Sequence, residues 1–218
     1  MKINLYKIGF FIILCLPLVA LPPYFFQPDW AKSIIFRSVV AVLFSLYIWK
    51  IDDSLNFLIK SFKKSAILWG LATLFLMFFL ASIFSIDRLF SFWGSPYRGG
   101  GSITFFFLFI FSILLFVKLK KNDWRSAFIL CVIIGVLVSL IALIQFYKIP
   151  NPIFSHTLAP SATIGNPITL GIYLSILFFI ALSFLFVEKN IKWKIFFSVS
   201  LFIFANAIFI TSSRAAFL

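Results

Sequence analysis

Uncharged apolar runs long enough to cross a lipid bilayer follow one another along most of the chain. A helix needs about 20 apolar residues to cross about 30 Å of hydrocarbon. The pattern therefore predicts an all-α, polytopic integral membrane protein with about seven helices, in a single transmembrane domain over residues 1–218. The predicted spans are Ile8–Pro28, Ala31–Trp49, Ser65–Ile86, Gly99–Val117, Ser126–Tyr147, Pro167–Val187 and Ile195–Ser213.

The amino-acid composition excludes the other broad classes of protein. Of the 218 residues, 63% are hydrophobic, 33 are Phe and only 11% are charged, against about 25% charged in an ordinary soluble domain. A folded chain of this size still exposes a large surface, so this apolar content excludes a soluble enzyme, a disordered segment and a secreted disulfide scaffold. Cys15 and Cys131 stand inside apolar runs, and we interpret them as small buried hydrophobes.

The basic excess is best explained by orientation in the membrane. The chain has 19 Lys and Arg against six Asp and Glu, a net charge of +13. If the N-terminus is cytoplasmic, 13 of the cations fall in inner segments and six fall on the outer side. This bias predicts a cytoplasmic N-terminus and contact with anionic lipid rather than with nucleic acid. The six outer cations are Lys32, Arg37, Arg88, Arg98, Lys148 and Arg214.

The outer loop Asp87–Gly101 contains the first candidate chemistry. Arg98 is followed directly by three glycines and by the start of the next predicted helix. Exposed amides at a helix N-terminus beside an arginine are typical of a phosphate site, although a flexible turn with an interfacial arginine is the simpler alternative. Trp93 and Tyr97 flank the turn and are either interfacial anchors or surfaces for sugar stacking.

Three further residues are weaker candidates on their own. Arg214 stands among small residues at the outer end of the last predicted span, where it either binds a polar ligand or faces lipid headgroups. Arg37 lies inside the outer edge of the second span and either snorkels to the interface or lines a polar cavity. His156 has no carboxylate close to it in the sequence, so a passive role is favoured. The sequence shows no motif for a metal or another cofactor.

Three stretches in this order resemble the O-antigen ligase and polymerase family of bacterial membrane glycosyltransferases. Their most specific part is the helix opening Gly165-Asn-Pro, followed later by the element Ser213-Arg-Ala. The resemblance covers Ser65–Leu218. The three stretches are Ser85-Ile-Asp through Phe92-Trp-Gly-Ser-Pro-Tyr-Arg98 with its glycines, Leu143-Ile-Gln-Phe-Tyr-Lys-Ile-Pro-Asn-Pro152, and Gly165-Asn-Pro-Ile-Thr-Leu-Gly-Ile-Tyr173 continuing to Thr211-Ser-Ser-Arg-Ala-Ala216.

The resemblance implies transfer of a polyprenyl-diphosphate-linked glycan at the outer face of the bacterial cytoplasmic membrane. The acceptor would be a glycolipid, a polysaccharide or a protein, and no metal or nucleotide cofactor is implied. Arg214 matches the arginine of the family's Ser-Arg-Gly element, with Ala215 in place of glycine. Arg98 would be a second cation for the donor diphosphate. The candidate sugar or lipid contacts are Trp93, Tyr97 and Arg37.

No catalytic residue is assigned. The family's proposed histidine base lies in a large outer loop that would follow Leu218, and His156 does not match that position. We therefore interpret the chain as the N-terminal part of a longer domain of this type. Two alternatives stay open at this point: a multi-pass membrane transporter, and a truncated fragment without activity.

Overall fold

A computed structural model describes residues 5–19, 28–49, 65–95, 100–149 and 159–211, with only the backbone for 28–30. Helices account for 83% of these residues, and none of them belongs to a strand. Five of the helices are long and apolar enough to span a membrane. The predicted all-α, polytopic membrane protein is confirmed.

Eight α-helices occur in the described ranges, and seven of them coincide with the predicted spans. They are α1 (Leu5–Leu14), α2 (Pro28–Ile48), α3 (Ala66–Ile83), α4 (Arg88–Trp93), α5 (Ser102–Lys118), α6 (Lys121–Phe146), α7 (Pro167–Val187) and α8 (Ile191–Ile210). The five membrane-length helices are α2, α3, α6, α7 and α8. The apolar helices α1 and α5 have 10 and 17 residues, so they are about 15 Å and 26 Å long.

The first helix is shorter than the run Ile8–Pro28 predicted. Helix α1 ends at Leu14, and Leu16–Leu18 forms a single 3₁₀ turn. Pro17 explains this end, because its ring fixes φ and it has no N–H to continue the helical hydrogen bonds. The carbonyl oxygen of Pro17 instead accepts a hydrogen bond from Thr163 Oγ1 at 2.5 Å.

The described residues form two compact units. Helices α1 to α5 and the first residues of α6 belong to the first unit, with only the last residue of α1 outside it. In this unit α1 packs closely on α2, since a Cβ added at Gly9 would lie 2.7 Å from the Leu43 side chain. Stacked phenyl rings join α3 to α5, with the centroids of Phe78 and Phe105 4.1 Å apart.

The second unit is a layer of α6, α7 and α8 with the 3₁₀ turn. Gly135 on α6 allows a close helix contact, because an added Cβ would lie 2.3 Å from Leu177 of α7 and 3.0 Å from Phe204 of α8. Small residues at such contacts are typical of helix packing in membranes. Phe184 and Phe197 stack with centroids 5.2 Å apart, which joins α7 to α8 near the loop between them.

Polar contacts in each unit link segments that the charge count assigns to the same side. In the first unit, Lys7 Nζ lies 2.6 Å from Asp123 Oδ1, and Lys118 Nζ lies over the rings of Tyr6 and Tyr47. In the second unit, Arg125 lies 2.5 Å from Glu188. Tyr47 lies at the predicted inner end of the second span and the other residues belong to predicted inner segments, so the contacts agree with the predicted arrangement of loops.

Candidate functional site

The predicted outer loop after α3 contains a short helix that periodicity did not predict. Helix α4 begins after Asp87, whose Oδ1 accepts a hydrogen bond from the Phe90 amide at 2.9 Å. Its last residue, Trp93, is followed by Gly94, which has a φ of +79°. An aspartate N-cap and a glycine just after the last helical residue are recognised helix boundaries. These two residues are the sequence signal that could have revealed α4.

Two glycines bring the ends of this loop into backbone contact. A Cβ added at Gly101 would lie 2.3 Å from both the Gly94 amide nitrogen and the Phe92 carbonyl oxygen. A Cβ at Gly94 would lie 2.4 Å from the Gly101 nitrogen. Gly100, in contrast, has open space around it. The glycine-rich sequence therefore serves first to let the chain cross itself at Gly94 and Gly101.

A cleft of about 570 Å³ lies against this crossing, between α3, α4 and α5. Ser82 and Ser102 are 6% and 5% exposed, and their hydroxyl groups are hydrogen-bonded to each other. Ser91 Oγ donates to Ser85 Oγ at 2.6 Å. The cleft thus offers hydroxyl groups and backbone beside aromatic rings. Its polar and glycine lining consists of Ser82, Ser91, Gly94, Ser95, Gly100 and Ser102, and its rings are Phe78, Phe90 and Phe105.

The start of α5 adds backbone donors to this region. The N-cap of α5 is Gly101, whose missing side chain cannot accept from the amides of the first turn. Backbone amides of the first helical turn have no acceptor within the helix, so they favour a hydrogen-bond acceptor or an anion beside them. The cleft can therefore bind a ligand that carries hydroxyl or phosphate oxygens beside an apolar part.

The Arg37 side chain, which comes from α2, is held against a different face of α5 from the one that lines the cleft. Its Nη2 donates to Thr104 Oγ1 at 2.6 Å, which joins the predicted outer ends of α2 and α5. Thr104 and Ser102 are two residues apart on one helix, so their side chains diverge by about 200°. Arg37 is not among the residues that line the cleft.

Trp93 is the last residue of α4, and its side chain is 60% exposed. It does not line the cleft either. Leu89 and Phe90 on the same short helix are also largely exposed. An exposed aromatic and aliphatic surface on a helix of this kind suits the membrane interface.

The other predicted site residues lie outside the described ranges. They are Tyr97, Arg98, His156 and Arg214. In the sequence, Arg98 stands between Ser95 and Gly100, both of which line the cleft. In the sequence, Arg214 stands three positions after Thr211, the residue that caps the end of α8.

In the second unit, polar side chains connect α6 and the 3₁₀ turn to the segment that precedes α7. Gln145 on α6 is 4% exposed, and its Oε1 accepts from the Ala162 amide at 2.8 Å. Thr163 is bonded to Pro17, and Asn166 Oδ1 caps α7 by accepting from the Ile168 amide at 2.8 Å. Sequence reasoning singled out neither Gln145 nor Thr163, since their partners are distant in the chain. These polar side chains form hydrogen bonds with backbone groups and thereby stabilise the loop that precedes α7.

Metal-ligating side chains do not cluster in the parts of the chain that the structure describes. Within these residues, no group of three or more His, Cys, Asp and Glu lies close enough to hold an ion.

Comparisons with known proteins give no relative for this chain. No family model matches the sequence, and no curated protein or solved structure matches it.

Proposed function

We propose that this multi-pass membrane protein is a glycosyltransferase of the O-antigen ligase type. It would transfer a glycan from a polyprenyl diphosphate to an acceptor glycolipid, polysaccharide or protein at the outer face of the bacterial cytoplasmic membrane. The observation that carries the proposal is the serine-lined cleft of about 570 Å³, adjoined in the sequence by Arg98.

The cleft has the chemistry that a glycosyl donor requires. Hydroxyl groups and amides bind sugar hydroxyls and phosphate oxygens by hydrogen bonds. The rings of Phe78, Phe90 and Phe105 provide apolar faces for the carbon skeleton of a sugar or for the start of a lipid chain. A pocket of several hundred Å³ with few polar groups among apolar ones is typical of small-ligand sites.

We assign to Arg98 and Arg214 the stabilisation of the leaving diphosphate. In the reaction, the bond between the anomeric carbon and the diphosphate oxygen breaks, and an acceptor oxygen forms the new bond to that carbon. The acceptor proton passes to a base, and the diphosphate leaves with the lipid. Arg98 and Arg214 would stabilise the charge that develops on the diphosphate, because a guanidinium binds phosphate oxygens with two donors and stays charged.

The test compares two arginines of the same outer loop. We expect Arg98→Gln to reduce glycan transfer at least about tenfold, the equivalent of about 1.4 kcal/mol of lost transition-state stabilisation. Arg88→Gln is the matched control, because Arg88 is exposed on α4 and does not line the cleft. Arg214→Lys and Arg214→Ala test the second cation.

The readout is transfer of a labelled glycan from its polyprenyl carrier by protein whose membrane insertion has been verified. Undiminished transfer by the Arg98 and Arg214 variants would remove these residues from the proposal. Solute uptake into proteoliposomes without any glycan transfer would instead support the transporter alternative.

A further inference from the structure

A basic cluster lies at the predicted inner end of the first unit. Its cations come from α1, from the end of α5 and from the start of α6. Among the described residues of this end of the unit, one carboxylate accompanies four ammonium groups, which gives the cluster a net charge of +3. The five residues are Lys7, Lys118, Lys120, Lys121 and Asp123.

The carboxylate of Asp123 joins the parts of this cluster. Lys7 Nζ lies 2.6 Å from Asp123 Oδ1. The Lys120 amide donates to Asp123 Oδ2 at 3.3 Å, and the Lys120 side chain also interacts with this carboxylate through its charge. One carboxylate therefore holds cations of α1 and of the short loop between α5 and α6 at one place, and it cannot neutralise all of them.

Two tyrosine rings hold the Lys118 side chain. Its Nζ lies 4.8 Å from the ring centroid of Tyr47 on α2 and 5.1 Å from that of Tyr6 on α1. Tyr47 is 3% exposed, so packing keeps its ring in place. Ring faces attract an ammonium group at these distances, but they carry no net charge to neutralise it. Lys118 thus keeps its positive charge at a defined place between three helices.

This cluster is remote from the serine-lined cleft. Lys118 and Ser102 are the last and the first residues of α5, so they lie about 24 Å apart along the helix axis. This separation is close to the hydrocarbon thickness of a bilayer, about 30 Å. An anion bound at the cluster is therefore separate from a donor bound in the cleft, and the site does not depend on the proposed function.

We propose that the basic cluster binds the headgroup of an anionic phospholipid in the predicted inner leaflet. The cluster is complementary in charge to a phosphate group, and it stands at helix ends, where the phosphates of a bilayer lie. Basic pockets between membrane helices on the cytoplasmic side bind headgroups of this kind. Each lysine offers a phosphate a point charge with three donors.

The experiment titrates the full chain in a neutral detergent with phosphatidylglycerol and counts the bound lipid by native mass spectrometry. We expect the unaltered protein to bind phosphatidylglycerol more tightly than phosphatidylcholine. We expect Lys118→Gln to weaken the binding of phosphatidylglycerol about fivefold, which corresponds to the contribution of about 1 kcal/mol from one lysine near an anionic lipid surface. Lys118→Arg should retain the binding, because arginine keeps the charge and also packs on aromatic rings.

The matched control is Lys192→Gln. Lys192 is exposed on the first turn of α8, and it belongs to the second unit. Its replacement removes the same charge from the same predicted side of the membrane, and the affinity for phosphatidylglycerol should not change. An equal loss of affinity in the Lys192 and Lys118 variants would show a diffuse attraction and would overturn the proposed site.

A second measurement uses phosphatidylglycerol with a photoreactive headgroup and the unaltered protein, so it stays valid if Lys118→Gln does not fold. We expect adducts on peptides that contain Tyr6, Tyr47 or Lys118. Adducts located only elsewhere, or equal affinities for phosphatidylglycerol and phosphatidylcholine, would overturn the inference. Binding of inorganic phosphate with the same dependence on Lys118 would assign the cluster to a soluble anion and would overturn it as well.

Discussion

The predicted outer loops of the two units use their polar residues in different ways. In the second unit, the side chains of Gln145, Thr163 and Asn166 all form hydrogen bonds with backbone groups. They satisfy donors and acceptors that would be costly to leave unpaired inside an apolar protein. In the first unit, Ser82 and Ser102 are hydrogen-bonded to each other, and Ser82 also donates to the Phe78 carbonyl oxygen, yet both line a cleft. Polar residues thus stabilise a loop in one unit, whereas in the other they join two helices and line a cavity.

The prediction with the largest expected effect tests the close backbone contact between Gly94 and Gly101 that shapes the cleft. Gly101→Ala places a Cβ within 2.3 Å of backbone atoms, which cannot rotate away as a side chain can. We expect a loss of about 3 kcal/mol in the free energy of unfolding, in the range for overpacked sites, together with loss of glycan transfer. Thermal and denaturant unfolding in detergent measure the first effect, and the glycan-transfer assay measures the second.

Gly100→Ala is the matched control for this change. A Cβ at Gly100 would meet no atom within 4 Å, so stability and glycan transfer should both be retained. If the two alanine variants behaved alike, the crossing of Gly94 and Gly101 would not be what shapes the cleft.

An intermediate effect is expected in the loop of the second unit. Gln145→Leu removes the acceptor for the Ala162 amide and should cost about 2 kcal/mol, the range for a buried donor left unpaired. Hydrogen exchange at that amide should accelerate, while glycan transfer should not change. The control is Asn206→Leu, because Asn206 is exposed and donates within its own helix, to Phe202. A drop in glycan transfer with Gln145→Leu would show that the two loops do not differ as described.

The smallest effect concerns the ion pair at the predicted inner end of the second unit. The guanidinium of Arg125 lowers the pKa of Glu188 below its usual value by hydrogen bonding, with further help from the Asn190 amide. Because the folded-state pKa lies below the unfolded one, the stabilisation is complete near neutral pH and is lost as pH falls through the lowered pKa. The Arg125 side chain is 54% exposed, so solvent screens the pair and the change is small.

The stability of the unaltered protein and of Arg125→Gln should therefore be compared between neutral pH and about pH 3. We expect a small difference at neutral pH that disappears in acid. A difference that persisted in acid would show that Arg125 acts through packing and not through the Glu188 charge.

Most helices could be predicted from the sequence, because each long apolar run must form one in a membrane. The prediction for α7 was Pro167–Val187, and the helix has these bounds. Ser65–Ile86 was predicted for α3, which runs over Ala66–Ile83. The first span was predicted too long because the prediction followed the length of the apolar run and did not take Pro17 into account. Helix α4 has six residues, too few for a periodic pattern.

The candidate site was less accessible to sequence reasoning. The glycines after Arg98 were predicted to form a turn, but the close backbone contact of Gly101 with Gly94 is known only once the chain has folded back. The hydrogen bond between Gln145 and Ala162 joins residues 17 positions apart, so no local sequence pattern predicts it. Arg98 and Arg214 stay predictions, because both lie outside the described residues.

The bond between Thr163 and Pro17 has a consequence for biosynthesis. The two residues are 146 positions apart, and a ribosome adds about 5 to 20 residues per second. The end of the first helix therefore waits about 7 to 30 seconds after its own synthesis before its hydroxyl partner has been made. During this interval the lipid bilayer or the insertion machinery must accommodate a half-length helix whose end is not yet stabilised by Thr163. The beginning of this chain reaches its final structure only when a late segment has been translated.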